Sequence, residues 1–427
     1  MPAGRVTPDR LALAHAYAGM RRSLTGVRTI AVTGTKGKTS TTEFIGQFMA
    51  ASGLRTAVST TESARIGATS TPPCEHLEDF VAFVARCRRS GIECLVVELC
   101  SSALTWNVHR GLDLDAAVLT NIGTDHISNH GNVRNYVAVK RRLFRDLRAG
   151  PASARPVAIL NADEAYAGDF RSGLAPGVRL ATYGLNGRNG TAPGPLRLRA
   201  GDIAHGADGT SFTIHGLAGG PHACRTRLHG DFNVSNVLAA VTCAVALGGD
   251  ERGIVQGAEA LVPPPGRFTI IAGVSDDRPA VVVDYAHTPE SVDCALAAAR
   301  DLSPRGRIHA VFGCGGDCYK AKRPLMGAVA AREADSITLT SDNPRTEDPQ
   351  AITRAILRGI PASRRRAVRV ELDRARAIDL AVAEARGGDV VILLGKGAEQ
   401  TQEVTGKTHR FSDAQAARRA LRRRGRP

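Results

Sequence analysis

The chain's 427 residues exceed one ordinary core, since domains run to about 100–150 residues, and two or three domains are the natural division. Its 43% apolar and 23% charged content is that of a globular enzyme rather than a disordered or fibrous chain, and 4% aromatics leave little for stacking single-stranded nucleic acid. The net charge of +15 gathers in residues 364–369 and 418–426 with no nucleic-acid motif beside it, which reads as a solvated face and a frayed helix end on a protein with anionic substrates.

In chain order, the N-terminus Met1-Pro2-Ala3-Gly4-Arg5 lacks the sections of a signal peptide, and no apolar run approaches the ~20 residues of a membrane span, so a cytoplasmic location is expected. From residue 27 onward, short β-branched runs alternate with stretches of helical period, the pattern of a mostly parallel sheet with helices on both faces. Residues 29–33, 95–99 and 117–120 are near-continuously apolar, as strands covered on both sides are. Between 186 and 227, Gly-rich segments and the alternation Thr210-Ser211-Phe212-Thr213-Ile214 predict a small antiparallel insertion ahead of a helix beginning near Asn233.

Leu261-Val262-Pro263-Pro264-Pro265-Gly266 breaks both periods and marks a linker. Beyond it, strands at 280–284, 308–313, 337–341 and 390–395, each followed by a helical segment, predict a second, doubly wound domain. The expected division is 27–265 for a central α/β domain and 266–427 for a Rossmann-like one, with 1–26 as a helix and linker ahead of them. The nine cysteines, none at Cys-x-x-Cys spacing, read as reduced thiols, many of them buried.

After the strand at 29–33 comes Gly34-Thr35-Lys36-Gly37-Lys38-Thr39-Ser40-Thr41, opening a helix that runs to about Ser52. Such a loop turns backbone N–H groups and a helix N-terminus toward phosphate oxygens, with Lys38 reaching the β- and γ-phosphates of ATP and Thr39 holding Mg²⁺. The strict pattern would place a glycine at Val32, so the loop is a shortened variant. Glu98 and His126, at the C-terminal ends of strands where sites in such sheets collect, are expected to ligate the metal.

The order of these motifs resembles the Mur ligases, most closely the branch that adds a third residue, commonly meso-diaminopimelate, to a UDP-N-acetylmuramoyl dipeptide. Gly34 to Thr41 is similar to the family's phosphate loop, and Glu98-Leu99-Cys100-Ser101-Ser102-Ala103-Leu104 to its Glu-Val-Ser-Ser-His-Ala-Leu segment. Asp125-His126 and Asn135-Tyr136-Val137-Ala138-Val139-Lys140 resemble its metal and modified-lysine region. Asp231-Phe232-Asn233-Val234-Ser235-Asn236, Pro265-Gly266-Arg267, Asp284 to Pro289, Gly313 to Asp317, Asp342-Asn343-Pro344-Arg345 and Gly395-Lys396-Gly397 follow in family order, so the match runs from about residue 8 to residue 424.

The resemblance implies a ligase that activates a carboxylate as an acyl phosphate with ATP and condenses it with an amino acid. It implies that Lys38, Glu98, His126 and Lys140 are catalytic, Lys140 as a carbamate, and that Thr39, Glu98, His126 and Lys140 surround the metal. Gly34, Thr35, Lys36, Gly37, Lys38, Thr39, Ser40, Asn236, Arg267 and Asp284 would hold the nucleotide, with His287 and Lys320 as weaker choices. Ser70 and Thr71 would touch the acyl donor. Asp342, Asn343, Arg345, Gly395 and Glu399 would take the amino acid.

Several positions depart from the family. Cys100 stands where a serine is expected, Trp106 where a glutamine is, and Val108 where an arginine is; Cys318 and Ala398 replace an arginine and a histidine on the acceptor side. Of the family's N-terminal uridine-gripping domain only a last helix, Arg10 to Arg22, is recognised. These departures lead to the expectation of a donor without UDP, such as a small peptide or natural-product intermediate. Three alternatives stay open: the cell-wall reaction with the uridine-binding domain missing or in another chain, a folate- or polyglutamate-type ligase, and a non-catalytic nucleotide-binding partner subunit. Neither nucleic acid nor membrane is expected as a partner.

Overall fold

A computed structural model describes residues 10–123, 130–148, 155–185 and 194–424. Contacts divide the chain into two compact units: Met1–Asp202, Phe212–Arg225 and Asn233–Leu261 form one, and Ile203–Ser211, Thr226–Phe232 and Val262–Pro427 the other. Among the described residues no helix is long and apolar enough to cross a membrane.

The first sheet is built from β1 (Arg28–Thr33), β2 (Thr56–Ser59), β3 (Ala64–Ile66), β4 (Thr69–Thr71), β5 (Cys94–Glu98), β6 (Ala116–Leu119), β7 (Val157–Asn161), β8 (Arg179–Leu185), β9 (Leu196–Gly206), β10 (Gly209–His215) and β11 (His222–Thr226). Their order is β11-β10-β9-β8-β7-β6-β1-β5-β2-β3-β4. β1 lies parallel between β5 and β6, with Ile30 opposite both Val96 and Ala116. Every residue of β5 and β6 is buried, which explains their unbroken apolar runs. Ala31, Leu95, Val97, Ala117 and Leu119 pack on one face against Phe83, Leu143 and Phe144 of the covering helices. The insertion forms as expected: the two-residue link Ala207-Asp208 joins β9 to β10, short enough only for an antiparallel pair, and Thr210, Phe212 and Ile214 alternate inward.

In the second unit β12 (Thr269–Ala272), β13 (Ala280–Asp284), β14 (Ile308–Phe312), β15 (Ser336–Leu339), β16 (Val368–Val370) and β17 (Val390–Leu394) form a sheet in the order β12-β13-β17-β14-β15-β16. All neighbours run parallel except β12 against β13. Successive side chains of a strand point to opposite faces. Thus Val282, Ala310, Phe312 and Ile392 meet Leu296 and Met326 on one side, while Val281, Val283, Val311 and Leu393 meet Ile378 and Ala417 on the other. A doubly wound layer results, its helices started by side-chain caps such as Thr288 before Pro289, Asp348 before Pro349, and Asp373. Parallel register brings Asp284, Gly313, Asp342 and Gly395 out at one edge of the sheet, the edge where sites in such sheets collect.

The helix Arg10–Ser23 is seated on the first unit by Met20, which is 1% exposed, and by Tyr17, whose hydroxyl donates to the Trp106 carbonyl. Trp106 is itself 43% exposed and fills no core, whereas Val108 is buried. All nine cysteines are free, and burial pushes the Cys314 thiol up to about 12.

Candidate active site

In the first unit the loop after β1 passes directly into the helix Lys38–Ala51, with Gly37 as its N-cap at φ 77. A side chain would be strained at that φ, and a Cβ on Gly37 would fall 2.2 Å from Asn236 Oδ1. A Cβ on Gly34 would meet Thr120 Oγ1 at 1.8 Å. The segment following β6 supports the loop from outside: Thr35 N donates to the Asn121 carbonyl (2.8 Å), Lys36 N to Asn121 Oδ1 (2.8 Å), and Asn121 Nδ2 returns a bond to the Lys36 carbonyl (3.0 Å). Thr35 Oγ1 takes a bond from Gly123 N (2.8 Å) and lies 3.0 Å from Tyr136 Oη.

This geometry refines the sequence reading. The N–H groups of Thr35 and Lys36 shape the loop through Asn121, and the helix that starts at Lys38 turns its N-terminal end, the end suited to an anion, toward the loop. Lys38 Nζ donates to the Thr35 carbonyl (2.9 Å) and sits 3.7 Å from Glu98 Oε1. Glu98, 9% exposed, also accepts from Thr39 Oγ1 (2.9 Å) and from Thr61 N and Oγ1 (3.3 Å each).

Thr39 and Glu98 therefore present two hard oxygen donors side by side. Magnesium takes one or two protein oxygens and completes its octahedron with water and phosphate, so these residues fit the ion. His126 lies outside the described residues, and among those described no cluster of three or more His, Cys, Asp or Glu stands ready to hold a metal. Lys140, fully buried on the helix Val133–Arg145, donates to the Gly34 carbonyl (2.7 Å) and lies 4.7 Å from the centre of the Tyr136 ring. Asn236 packs under the loop and accepts from Thr41 Oγ1 (3.3 Å). Ser70 and Thr71 lie on β4 at the end of the sheet; Ser70 is exposed, and Thr71 Oγ1 donates back to the Ala64 carbonyl (3.2 Å) rather than to the loop.

In the second unit the Asp284 carboxylate accepts from Phe268 N and Ala286 N (2.7 Å each), tying the turn that carries Arg267 to the end of β13. Burial raises its pKa, opposed by the Arg267 charge and these two N–H groups. The Arg267 guanidinium stacks on Tyr285, 4.5 Å from the ring centre. His287 Nδ1 lies 2.8 Å from the Tyr285 carbonyl, and the exposed Lys320 pairs with Glu347 at 3.1 Å.

The loop after β15 brings Asp342, Asn343 and Arg345 together. Asn343 Nδ2 donates to Glu399 Oε2 (2.8 Å), and Gly395 leaves β17 at φ 112, where a Cβ would fall 2.4 Å from Asp342 Oδ2. Arg345, itself at φ 54, anchors Nη1 on the Gly316 carbonyl (2.6 Å) and beside Cys318 Sγ (3.3 Å), with Nε 3.5 Å from Glu403 Oε2.

Sequence reasoning missed what holds this loop: buried Arg323 forks onto Glu347 (3.0 and 2.9 Å) and onto the Gly315 carbonyl (3.1 Å), while Asp317 N donates to Glu347 (2.7 Å). Pairing with Arg323 holds the Glu347 carboxyl down at about 2 against an ordinary 4.5. A folded-state pKa below the unfolded one contributes stability that is full above about 4.5 and lost as pH falls toward about 2. Urea titrations across that window should show the loss in the wild type, with a flatter profile in Glu347→Gln; identical slopes would remove Glu347 as its source.

Lys396, Thr61, Thr120, Asn121 and Tyr136 were also missed as site residues. Their signal was faint: Lys396 sat inside a Gly-Lys-Gly motif, and Asn121 joins the loop only in space.

Residues 32–244 match the Mur ligase middle domain and residues 266–397 the Mur ligase glutamate ligase domain. The UDP-N-acetylmuramoyl-L-alanyl-D-glutamate–2,6-diaminopimelate ligase of Synechococcus elongatus is 39% identical over 92% of this chain and 76% of its own length. Its namesake in Syntrophomonas wolfei is 36% identical over 97% of this chain and 83% of its own. A solved structure of a ligase with the same name superposes with a TM-score of 0.68 at 32% identity, covering 100% of this chain and 85% of that one. The chain belongs to the Mur ligase family, the ATP-dependent, Mg²⁺-using ligases that form an amide bond and release ADP.

Proposed function

We propose that the chain joins 2,6-diaminopimelate to UDP-N-acetylmuramoyl-L-alanyl-D-glutamate. The observation that carries this reading is identity of 39% along 92% of the chain with a ligase named for that reaction. It replaces the donor without UDP, which was expected from Cys100, Trp106 and Val108 and from recognising only the last helix of the uridine-gripping domain, because these local departures weigh less than likeness along the whole length.

On this reading Lys38 and the first turn of the helix Lys38–Ala51 hold the γ-phosphate of ATP against the donor carboxylate. The carboxylate oxygen bonds to γ-phosphorus, the bond to ADP breaks, and an acyl phosphate forms. Thr39 and Glu98 would hold magnesium, which would supply charge neutralisation at the phosphates. Lys140 stands as a carbamate in that group and keeps one N–H for the Gly34 carbonyl.

Arg345 offers Nη2 to a carboxylate of the acceptor, and Glu399 offers an oxygen to its ammonium. The acceptor amine then attacks the acyl carbon, phosphate departs, and the amine loses a proton. Asn236, Arg267 and Asp284 hold the nucleotide, and Ser70 and Thr71 meet the donor.

The test is ADP release by the purified chain with the muramoyl dipeptide nucleotide and a panel of diaminopimelate, lysine, ornithine and alanine, set against short peptides and free carboxylic acids as donors. We expect turnover that requires both the nucleotide and diaminopimelate. Turnover confined to the small donors would return the smaller-donor reading. Nucleotide binding without turnover on any pair would favour a partner subunit. Because Cys318 lies beside Arg345, the panel also reads how far the acceptor's distal end is selected.

A further inference from the structure

We infer that Lys396 is the positioning residue of the acceptor site: its buried ammonium sets Asn343 and Glu399 so that one amide proton and one carboxylate oxygen face the incoming amino acid. The inference rests on the reading of Asn343 and Glu399 as acceptor contacts.

Lys396 is 0% exposed. A buried lysine needs acceptors for its charge, and Nζ finds Asn343 Oδ1 at 3.0 Å and Glu399 Oε2 at 2.7 Å. Asn343 Nδ2 donates to that same Glu399 oxygen at 2.8 Å, which closes a triangle of three side chains. Glu403 N adds a second donor to Asn343 Oδ1 at 3.0 Å. With two donors on its oxygen and a carboxylate on its nitrogen, the amide has one favourable orientation. Both ordered bonds to Glu399 fall on Oε2, and its side chain is 34% exposed, so Oε1 is the oxygen left to the opening. The second proton of Asn343 Nδ2 is likewise uncommitted. A donor beside an anionic acceptor complements the carboxylate and ammonium of an amino-acid head group.

The backbone around Lys396 is pinned from both sides. Gly395 N donates to the Asp284 carbonyl at 3.0 Å. The Leu394 carbonyl accepts at 3.0 Å from Arg374 Nη2, and the fully buried Arg374 is locked onto Asp413 (2.7 and 2.6 Å). Gly397, at φ 52, has room for no Cβ: Gly266 O and Tyr285 Cβ would each lie 2.9 Å away. The ammonium therefore enters the triangle from a fixed point. A compact group with three donors suits that corner, whereas the wider guanidinium fork does not.

The test measures KM for acceptor and for ATP separately in the full chain carrying Lys396→Met, Asn343→Ala, Glu399→Gln, and Lys396→Met with Glu399→Gln. Lys396→Met should raise the acceptor KM on the order of 10²-fold while the KM for ATP moves less than about threefold, and its effect should shrink in the Glu399→Gln background. If Lys396→Met does not fold, the double variant, which buries no unpaired charge, is compared with Glu399→Gln alone and must show a further rise in the acceptor KM. An unchanged acceptor KM there, an equal rise for ATP, or fully additive effects would overturn the positioning role. If Asn343→Ala and Glu399→Gln raise the acceptor KM but Lys396→Met does not, the inference falls and the acceptor reading stands. If none of the three moves it, the acceptor reading itself falls and the inference with it.

Discussion

Lys38→Ala is expected to lower ATP turnover on the order of 10²-fold or more, about 2.7 kcal/mol or more in the barrier, without unfolding the protein. The ammonium lies at the mouth of the loop, between the Thr35 carbonyl and Glu98. Its removal leaves γ-phosphate charge uncompensated just as that charge is redistributed. The fold should survive because the loop is supported independently: Asn121 bonds Thr35 and Lys36, Asn236 packs against Gly37, and Tyr136 meets Thr35. The assay is ADP release together with thermal denaturation. Near-normal ADP release in a folded variant would remove Lys38 from the chemistry. Loss of activity with loss of the melting transition would instead make it a structural residue.

What the sequence made legible follows from where each signal resides. β1, β5, β6, β13, β14 and β17 are almost wholly buried, so their near-continuous apolar runs mark strands with no knowledge of partners. The phosphate loop is a local motif at a strand-to-helix junction and carries its chemistry in neighbouring residues. β16 escaped notice because Val368–Val370 is only 3 residues long and is embedded in an arginine run. β12 escaped because it is short and only partly buried over most of its length.

The supports of the site were hidden for a different reason. Asn121 meets Lys36 across 85 positions, and Lys396 meets Asn343 across 53, contacts that exist only once the sheets are assembled. Departures at Cys100, Trp106 and Val108 were visible, yet they suggested a smaller donor that the relatives do not support. Trp106 shows why single positions mislead: it is largely a surface residue with its carbonyl bonded to Tyr17, a setting that says little about a substrate.

Lys140→Ala should likewise cost on the order of 10²-fold or more in turnover, and the cause can be separated from simple loss of a buried cation. As an ammonium, Lys140 bonds the Gly34 carbonyl at 2.7 Å and faces the Tyr136 ring at 4.7 Å. Carbamylation converts that cation to an anion. The modified nitrogen retains one N–H, so the bond to Gly34 can persist while the attraction of a cation for the aromatic face is lost. The two states therefore respond differently to chemistry. Lys140→Arg keeps a permanent cation and cannot take up carbon dioxide, so it should remain inactive if the carbamate is required and recover in part if an ammonium suffices. The direct measurement is carbon-13 NMR of the wild type equilibrated with labelled bicarbonate: a carbamate resonance is expected, absent in Lys140→Arg and lost from the wild type on acidification. Failure to see that resonance in a fully active sample, or activity restored by Lys140→Arg, would leave Lys140 as a buried ammonium holding the loop by its Gly34 carbonyl.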